Sequence, residues 1–270
     1  MNYNELLSIA KEAAVRAGEA ILEVYEAEDR GIELKSDDSP LTLADKNAHN
    51  VIVEYLEETK LPVLSEEGAS IPFNERSNWE KFWMVDPLDG TKEFIKRNGE
   101  FTVNIALIEN GISTLGVVYI PITKELYSGN VHDQKAYVSA DTQEEELISH
   151  KSERSTQWSV AEGNIAQCQG DESIPVRIVC SRSHMNDETK GFIQQFENTS
   201  EVPKGSSLKF LKIAENQADV YPRFGPTMEW DTAAAHAVIS ACGYHIKQVD
   251  SLTELQYNKE NLLNPFFIAF

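Results

Sequence analysis

The stretch WMVDPLDGTKEF, residues 83–94, places two aspartates, Asp86 and Asp89, around a Pro-Leu pair and follows them at once with glycine and threonine. An apolar run that ends in acids and glycine is typical of a buried strand that delivers side chains to a site at its end. Pro87 has a fixed φ and no backbone N–H, so we expect the strand to stop there and the chain to turn, which brings both carboxylates towards one side. The same residues are ordinary type I turn chemistry, so taken alone they predict either a turn or half of a metal site.

The elements around this stretch predict an α+β architecture for the first part of the chain. Apolar residues at three- and four-residue spacing over residues 3–27 predict an amphipathic helix, and the same periodicity resumes in a second helix that begins after Thr42. Residues 101–138 hold β-branched and alternating runs separated by turn signals, which favours an antiparallel meander.

The second part of the chain has a different pattern. Residues 140–173 are polar and poorly periodic, which is typical of a connector, and we place a boundary near residue 172. Beyond it, short strand and helix patterns alternate. The predicted organisation is therefore an α+β portion, residues 1–172, which carries most of the candidate acids, followed by an α/β portion, residues 173–270.

Charge and hydropathy exclude some classes of function. The formal net charge is −20, from 44 acidic and 24 basic residues, and this disfavours a nucleic acid polymer as partner because neutralising its phosphates requires a basic face. A small anionic substrate remains compatible if divalent cations and a few local lysines and arginines overcome the field of the surface. The apolar runs are far shorter than the roughly 20 residues of a membrane span, and the first residues lack a signal-peptide pattern, so the sequence predicts a cytoplasmic protein.

Acidic residues recur at the ends of predicted elements. They are Asp45, Glu66, Glu67, Asp86, Asp89 and Asp231. Magnesium prefers hard oxygen ligands in octahedral geometry, and paired ions share carboxylates, so acids in these positions are able to supply two or three ions. The carbonyl of Leu88 would be a further oxygen ligand, Gly90 permits a positive φ or a close backbone approach, and the amides at Thr91 are able to hold a phosphate at a helix start.

Each acid also has an ordinary structural explanation. Asp45 fits the third position of a helix capping box, and Asp231 is a good cap for the alanine-rich run that follows it. The Glu66–Glu67 pair is typical of a solvated loop. These explanations account for the acids singly, but not for their recurrence in the same contexts along the chain.

The motifs SPLTLAD, LSEEG, DPLDGTKEF, GSSLKF and YPRFGPTMEWDTAAAHA resemble, in this order, the signatures of the magnesium-dependent, lithium-sensitive inositol monophosphatase superfamily. More closely, DGTKEF, GSSLKF and YPRFGPT resemble its CysQ branch, the 3′(2′),5′-bisphosphate nucleotidases. The resemblance covers residues 36 to about 240 and fades over 140–175. It implies the layered α-β-α-β-α sandwich of that superfamily, with the site in the cleft between the two portions. One departure is Ala235, where the family usually has glycine, and we expect local crowding of that helix.

The resemblance also implies roles for the acids. Glu66, Asp86, the Leu88 carbonyl, Asp89 and Asp231 would hold two or three magnesium ions, with Asp86 as the bridging ligand. Asp45 and Thr91 would polarise the attacking water, and the Gly90 and Thr91 amides would hold the scissile phosphate. Orientation and deprotonation of a water by a carboxylate and a hydroxyl is a sound division of labour for in-line attack.

The C-terminal portion would bind the nucleotide. In this branch, the counterparts of Ser206, Ser207, Lys209 and Arg223 contact the second phosphate and the sugar, and that of His184 lies near the base. Independently of the family, lysine and arginine are sensible phosphate ligands in a protein so acidic, although a helical lysine is more often exposed and a single histidine more often structural.

The implied activity is hydrolysis of 3′-phosphoadenosine 5′-phosphate, and of the corresponding 5′-phosphosulfate, to release the 3′-phosphate. Inositol monophosphatase and fructose-1,6-bisphosphatase share the metal ligands and are alternatives, and a noncatalytic ion- or nucleotide-binding protein is another. A covalent aspartyl-phosphate phosphatase of the haloacid dehalogenase class is disfavoured, because the spacing is DxxD instead of DxD. The oligomeric state is not readable from the sequence.

Overall fold

The computed structural model describes residues 1–27, 31, 33–34, 40–68, 70–140, 143–147, 157–161, 164–169, 174–181 and 185–270. Its helices are α1 (Tyr3–Glu26), α2 (Leu43–Glu57), α3 (Phe73–Arg76), α4 (Thr91–Ile95), α5 (Asp187–Ile193), α6 (Leu208–Ala214) and α7 (Trp230–Ala241). Its strands are β1 (Glu33–Leu34), β2 (Pro40–Leu41), β3 (Val63–Ser65), β4 (Lys81–Asp89), β5 (Thr102–Glu109), β6 (Ile112–Ile120), β7 (Glu125–Asn130), β8 (Lys135–Ala140), β9 (Gln143–Glu146), β10 (Gln157–Ala161), β11 (Asn164–Gln169), β12 (Val176–Ser181), β13 (Thr199–Lys204), β14 (Tyr221–Arg223), β15 (Ile246–Gln248) and β16 (Phe267–Ala269).

A seven-stranded sheet forms the centre of the fold, with the strand order β3-β4-β5-β6-β7-β8-β9. β3 and β4 run parallel, and the other neighbours are antiparallel. The antiparallel meander predicted from the sequence is therefore confirmed over β5 to β8. Helices α1 and α2 pack on one face of this sheet, and α7 packs on β4 to β8.

Beyond α6 and α7 lies a second β layer. It consists of the parallel pair β12–β13 and the antiparallel sheet β14-β16-β15, with α5 packed against β14. The layers alternate as α-β-α-β-α, which confirms the fold class expected from the sequence. The boundary predicted near residue 172 falls on residues outside the described part of the chain, and the division into two portions stays a prediction.

Local sequence signals explain the two long N-terminal helices. Asn2 and Glu5 form a capping box at the start of α1, and the buried stripe of that helix faces the sheet. Thr42 and Asp45 form the same motif at the start of α2. Both helices begin where the sequence predicts.

Helix α7 lies very close to the central sheet because the strands beneath it carry glycine. A Cβ on Gly116 would stand 2.0 Å from the Ala234 oxygen, and one on Gly129 would stand 2.6 Å from the Cα of Val238. Real side chains do not reach such distances, so only glycine permits this approach. Ala235, where the family usually has glycine, is completely buried within the core shared by α7 and the sheet.

Two predictions are corrected by the structure. β4 does not stop at Pro87, because Asp86 pairs with Asn104 and Asp89 with Thr102, so two residues of β4 stand opposite one of β5 in a β-bulge. A bulge tolerates a proline that has no N–H to give to the ladder. The polar segment 140–173 is not a plain connector, since it contains β9, which extends the central sheet, and the hairpin β10–β11.

No helix in the described part of the chain combines the length and the apolar character that a membrane crossing requires.

Candidate active site

Three carboxylates converge at the ends of different elements. Glu66 directly follows β3, Asp86 lies in the neighbouring strand β4, and Asp231 lies in the first turn of α7. One oxygen of each lies within 4.8 Å of the others. Glu66 and Asp86 are neighbours because β3 and β4 are parallel and in register, with the Glu66 amide donating to the Val85 carbonyl at 3.0 Å.

The electrostatics of these acids favour a bound cation. Burial, followed by repulsion from Glu66 and Asp89, raises the pKa of Asp86 well above its usual value. Burial raises the pKa of Asp231 to about 8. Repulsion from Asp89 adds to this effect, and a hydrogen bond from the Met228 amide opposes it. Acids that repel one another in a buried site are stabilised by a shared cation, and a set of carboxylate oxygens suits magnesium. The residues present therefore fit the metal that the family resemblance implies.

Asp89 lies beside this cluster, but one of its oxygens already has partners. Its Oδ2 accepts hydrogen bonds from Ser206 Oγ at 2.7 Å and from Ser207 Oγ at 3.0 Å. Ser207 Oγ is also 3.1 Å from the Asp231 carbonyl oxygen and accepts from Asn104 Nδ2 at 3.0 Å. The two serines expected to contact substrate thus also hold an acid expected to bind metal.

The bulge in β4 places Leu88 and Thr91 next to the acids. The Leu88 amide donates to Asp86 Oδ1 at 3.1 Å. The Thr91 hydroxyl lies 3.4 Å from the Leu88 oxygen and 3.3 Å from Asp45 Oδ1. Gly90 has a φ of 96°, and a Cβ there would stand 2.9 Å from the Glu100 oxygen, so both reasons for a glycine that the sequence suggested apply.

Asp45 has a different partner for each of its carboxylate oxygens. Its Oδ2 accepts from the Thr42 amide at 2.7 Å and from the Thr42 hydroxyl at 2.5 Å, which caps α2. Its Oδ1 faces Thr91. The cap fixes the carboxylate, so that its second oxygen is presented to the threonine hydroxyl.

A cavity of about 150 Å³ connects the acids to basic side chains. It is lined by Asp89, Gly90, Glu93, Ser181, Gly205, Ser206, Lys209, Phe210, Tyr221, Arg223, Thr227, Asp231, Thr232 and Phe267. The lining combines the acids Asp89, Glu93 and Asp231 with the basic side chains of Lys209 and Arg223. Ser206 occupies a positive φ of 49°, a conformation that non-glycine residues adopt rarely and that is often found at functional sites.

Lys209 is buried, with 8% of its surface exposed, in contrast to the exposed lysine that a helical position favours. Its Nζ donates to the Ser206 carbonyl at 2.5 Å and lies 5.5 Å from the centre of the Tyr221 ring. Burial lowers the pKa of Lys209 to about 8. Arg223 donates to the Pro226 carbonyl at 2.8 Å, while its buried Nε has no hydrogen-bond partner within the described residues.

Some relevant residues lie outside the sequence predictions or outside the described chain. His184, expected near the base, is not among the described residues. His49, a single histidine of the kind that is more often structural, lies one helical turn after Asp45, and its Nδ1 is 2.9 Å from Ser65 Oγ, next to Glu66. The i, i+4 spacing of Asp45 and His49 on α2 was the available signal.

Comparison with known proteins identifies the family. The sequence model that describes the inositol monophosphatase family matches residues 2–264, which is most of the chain. The chain belongs to the inositol monophosphatase family. The resemblance that the motifs predicted is therefore confirmed.

Within the inositol monophosphatase family, several similar proteins are named CysQ. A protein named 3′(2′),5′-bisphosphate nucleotidase CysQ from Salmonella typhimurium is 44% identical, with 94% of this chain and 95% of that protein covered. A protein of the same name from Escherichia coli is 43% identical, with the same coverage of both chains. The crystal structure of CysQ from Bacteroides thetaiotaomicron, described as a bacterial member of the inositol monophosphatase family, is 43% identical, covers 99% of this chain and 97% of its own, and superposes with a TM-score of 0.80.

Proposed function

We propose that this protein is a magnesium-dependent phosphatase that removes the 3′-phosphate from 3′-phosphoadenosine 5′-phosphate, giving AMP and phosphate. The corresponding 5′-phosphosulfate is proposed as a second substrate. The observation that carries the proposal is that Asp89 and Asp231 line the same cavity as Lys209 and Arg223. Such a cavity suits a ligand with two phosphates, and the names of the similar proteins support the same assignment.

Glu66, Asp86, the Leu88 carbonyl, Asp89 and Asp231 would hold two or three magnesium ions. When bound, these ions would stabilise charge on the phosphoryl oxygens and lower the pKa of the attacking water. Asp86 would be the ligand that the ions share, since it is the most buried carboxylate of the converging three and is repelled by Glu66, Asp89 and Asp231.

Asp45 and Thr91 would act on the attacking water. The Thr42 cap occupies Asp45 Oδ2, so Asp45 Oδ1 is the oxygen within reach of the Thr91 hydroxyl. Thr91 would accept a hydrogen bond from the water while donating to Asp45, which orients the water and gives its proton a path to the carboxylate. The amides of Gly90 and Thr91 would hold the scissile phosphate against this pair.

Lys209 and Arg223 would hold the phosphate that is not cleaved, with Ser206 and Ser207 nearby. Arginine offers a planar set of donors and lysine a compact charge, and both are needed to attract a dianion to a protein with a formal net charge of −20. His184 remains the proposed contact to the base, and a cytoplasmic location is part of the proposal.

A substrate panel tests this function. Phosphate release should be measured from 3′-phosphoadenosine 5′-phosphate, inositol 1-phosphate and fructose 1,6-bisphosphate, with and without magnesium and with lithium added. We expect the nucleotide to have the highest kcat/KM, with turnover that requires magnesium and is inhibited by lithium. A higher kcat/KM for either sugar phosphate would overturn the nucleotide assignment, and turnover of none would favour a noncatalytic binding protein.

A further inference from the structure

Glu93 is an acid on the wall of a cavity proposed to bind a dianion. It lies in α4, two residues after Thr91, and lines the same cavity as Lys209 and Arg223. Its Cγ lies 3.2 Å from the position that a Cβ on Gly205 would take, so the side chain packs against the chain just before Ser206. The carboxylate is thus on the cavity wall and close enough to Lys209 to act on its charge.

In the described part of the chain, this carboxylate has no structural role in hydrogen bonding or ion pairing. No hydrogen bond or ion pair joins the Glu93 carboxylate to another described residue, although its charge helps to raise the pKa of Lys209 against the larger effect of burial. The neighbouring Glu100 differs, since it accepts the Gly205 amide at 2.9 Å and the Lys204 ammonium at 3.4 Å. A negative charge beside a phosphate site weakens the binding of phosphate. The group of the substrate that Glu93 contacts is therefore expected to be a hydrogen-bond donor and not a phosphate.

We propose that Glu93 accepts a hydrogen bond from the ribose 2′-hydroxyl of the nucleotide and so selects a ribonucleotide. The proposal rests on the proposed function, which puts the 3′-phosphate at Gly90 and Thr91 and the 5′-phosphate at Lys209 and Arg223. The sugar that joins the two phosphates would then lie in the cavity whose wall includes Glu93. The 2′-hydroxyl is the donor next to the scissile phosphate, and an ionised carboxylate is an acceptor-only group suited to a ribose hydroxyl.

The test compares 3′-phosphoadenosine 5′-phosphate with 2′-deoxyadenosine 3′,5′-bisphosphate, which differ only in the 2′-hydroxyl. A hydrogen bond to a charged group corresponds to a preference of roughly 10- to 150-fold in kcat/KM for the ribonucleotide in the wild-type protein. Glu93→Ala should bring the two values to within about threefold of each other, and Glu93→Gln, which keeps an acceptor oxygen, should give an intermediate ratio. The ratio is the informative quantity, since loss of the charge should raise the affinity for both anions alike.

Glu75→Ala is the matched control, because Glu75 is also an acid in the first turn of a short helix but is exposed and does not line the cavity. It should leave the ratio unchanged. Equal kcat/KM for the two nucleotides in the wild-type protein, or the wild-type ratio in Glu93→Ala, would overturn the assignment of Glu93 while leaving the proposed function standing. Release of phosphate from neither nucleotide by the wild-type protein would overturn both.

Discussion

Replacing Lys209 by methionine separates the binding role of this side chain from its effect on folding. Methionine has a similar length and no charge. Burial lowers the pKa of Lys209 from 10.5 to about 8, so the folded protein holds this proton less tightly than the unfolded chain does. The free energy of unfolding therefore rises as the pH increases from about 8 to 10.5. Below pH 8, the buried charge of Lys209 lowers the free energy of unfolding by about 3 kcal/mol. The methionine variant should consequently melt at the same temperature as the wild-type protein or higher.

Activity should change in the opposite direction. If Lys209 holds the 5′-phosphate, its removal takes away a hydrogen bond to a charged group, worth about 1.5–3 kcal/mol, which lowers kcat/KM about 10- to 150-fold. Adenosine 3′-monophosphate lacks that phosphate, so its kcat/KM should change less than about threefold by the same reasoning. Lys209→Arg keeps the charge and should retain part of the preference for the bisphosphate.

The assay is kcat/KM for both substrates at saturating magnesium from pH 7 to 10. In the wild-type protein, kcat/KM for the bisphosphate should fall as the pH rises through about 8, because only protonated Lys209 binds the phosphate. The phosphates themselves titrate near pH 6 and do not interfere. Lys209→Met should lack this decrease. An equal loss for both substrates in Lys209→Met, with the decrease retained, would refute the reasoning.

Three further predictions concern other parts of the molecule. Asp89→Asn should lower magnesium-dependent turnover at least about 100-fold without lowering the melting temperature, and near-normal activity would remove this acid from the site. We also expect His49, through Ser65, to position the neighbouring Glu66 for metal binding. His49→Asn keeps a nitrogen near the Nδ1 position and should leave the magnesium concentration for half-maximal rate within about twofold, whereas His49→Gln should raise it about tenfold. Equal effects of the two substitutions would contradict this positioning role. The third prediction concerns Glu109. Burial alone would raise the pKa of this carboxyl group, but hydrogen bonds from Thr114, His132, Lys81 and Tyr3 outweigh burial and lower the pKa to about 2. This carboxylate stabilises the fold above pH 4.5, and the effect is lost as the pH falls towards 2, so Glu109→Gln should lower the free energy of unfolding at pH 7 by about 1–3 kcal/mol and flatten its acid dependence. Identical denaturation curves for wild type and Glu109→Gln from pH 3 to 7 would be inconsistent with that account.

Periodicity predicted the elements that bury a regular face. The stripes of α1 and α2 and the alternating runs of β5 to β8 were readable because each packs one face on a continuous core. β9 was missed, since QEEE has no apolar alternation and all four of its residues are exposed. Its strand geometry comes from pairing with β8, which is a property of the neighbour and not of the segment.

The candidate site was only partly predictable for a similar reason. The acids were found because they stand at element ends, where strand and helix patterns stop. The burial of Lys209 depends on the Tyr221 ring and the Ser206 carbonyl, which distant parts of the chain supply. The bulge at Pro87 depends on the register of β5. The contact of the second Asp45 oxygen depends on the position of Thr91.

The most direct test of the account is the identity of the products. ³¹P NMR of 3′-phosphoadenosine 5′-phosphate incubated with the protein should show the 3′-phosphate resonance replaced by inorganic phosphate, with AMP as the nucleotide product, only when magnesium is present. Formation of adenosine 3′-monophosphate, or the same products at the same rate in the presence of a chelator, would contradict it.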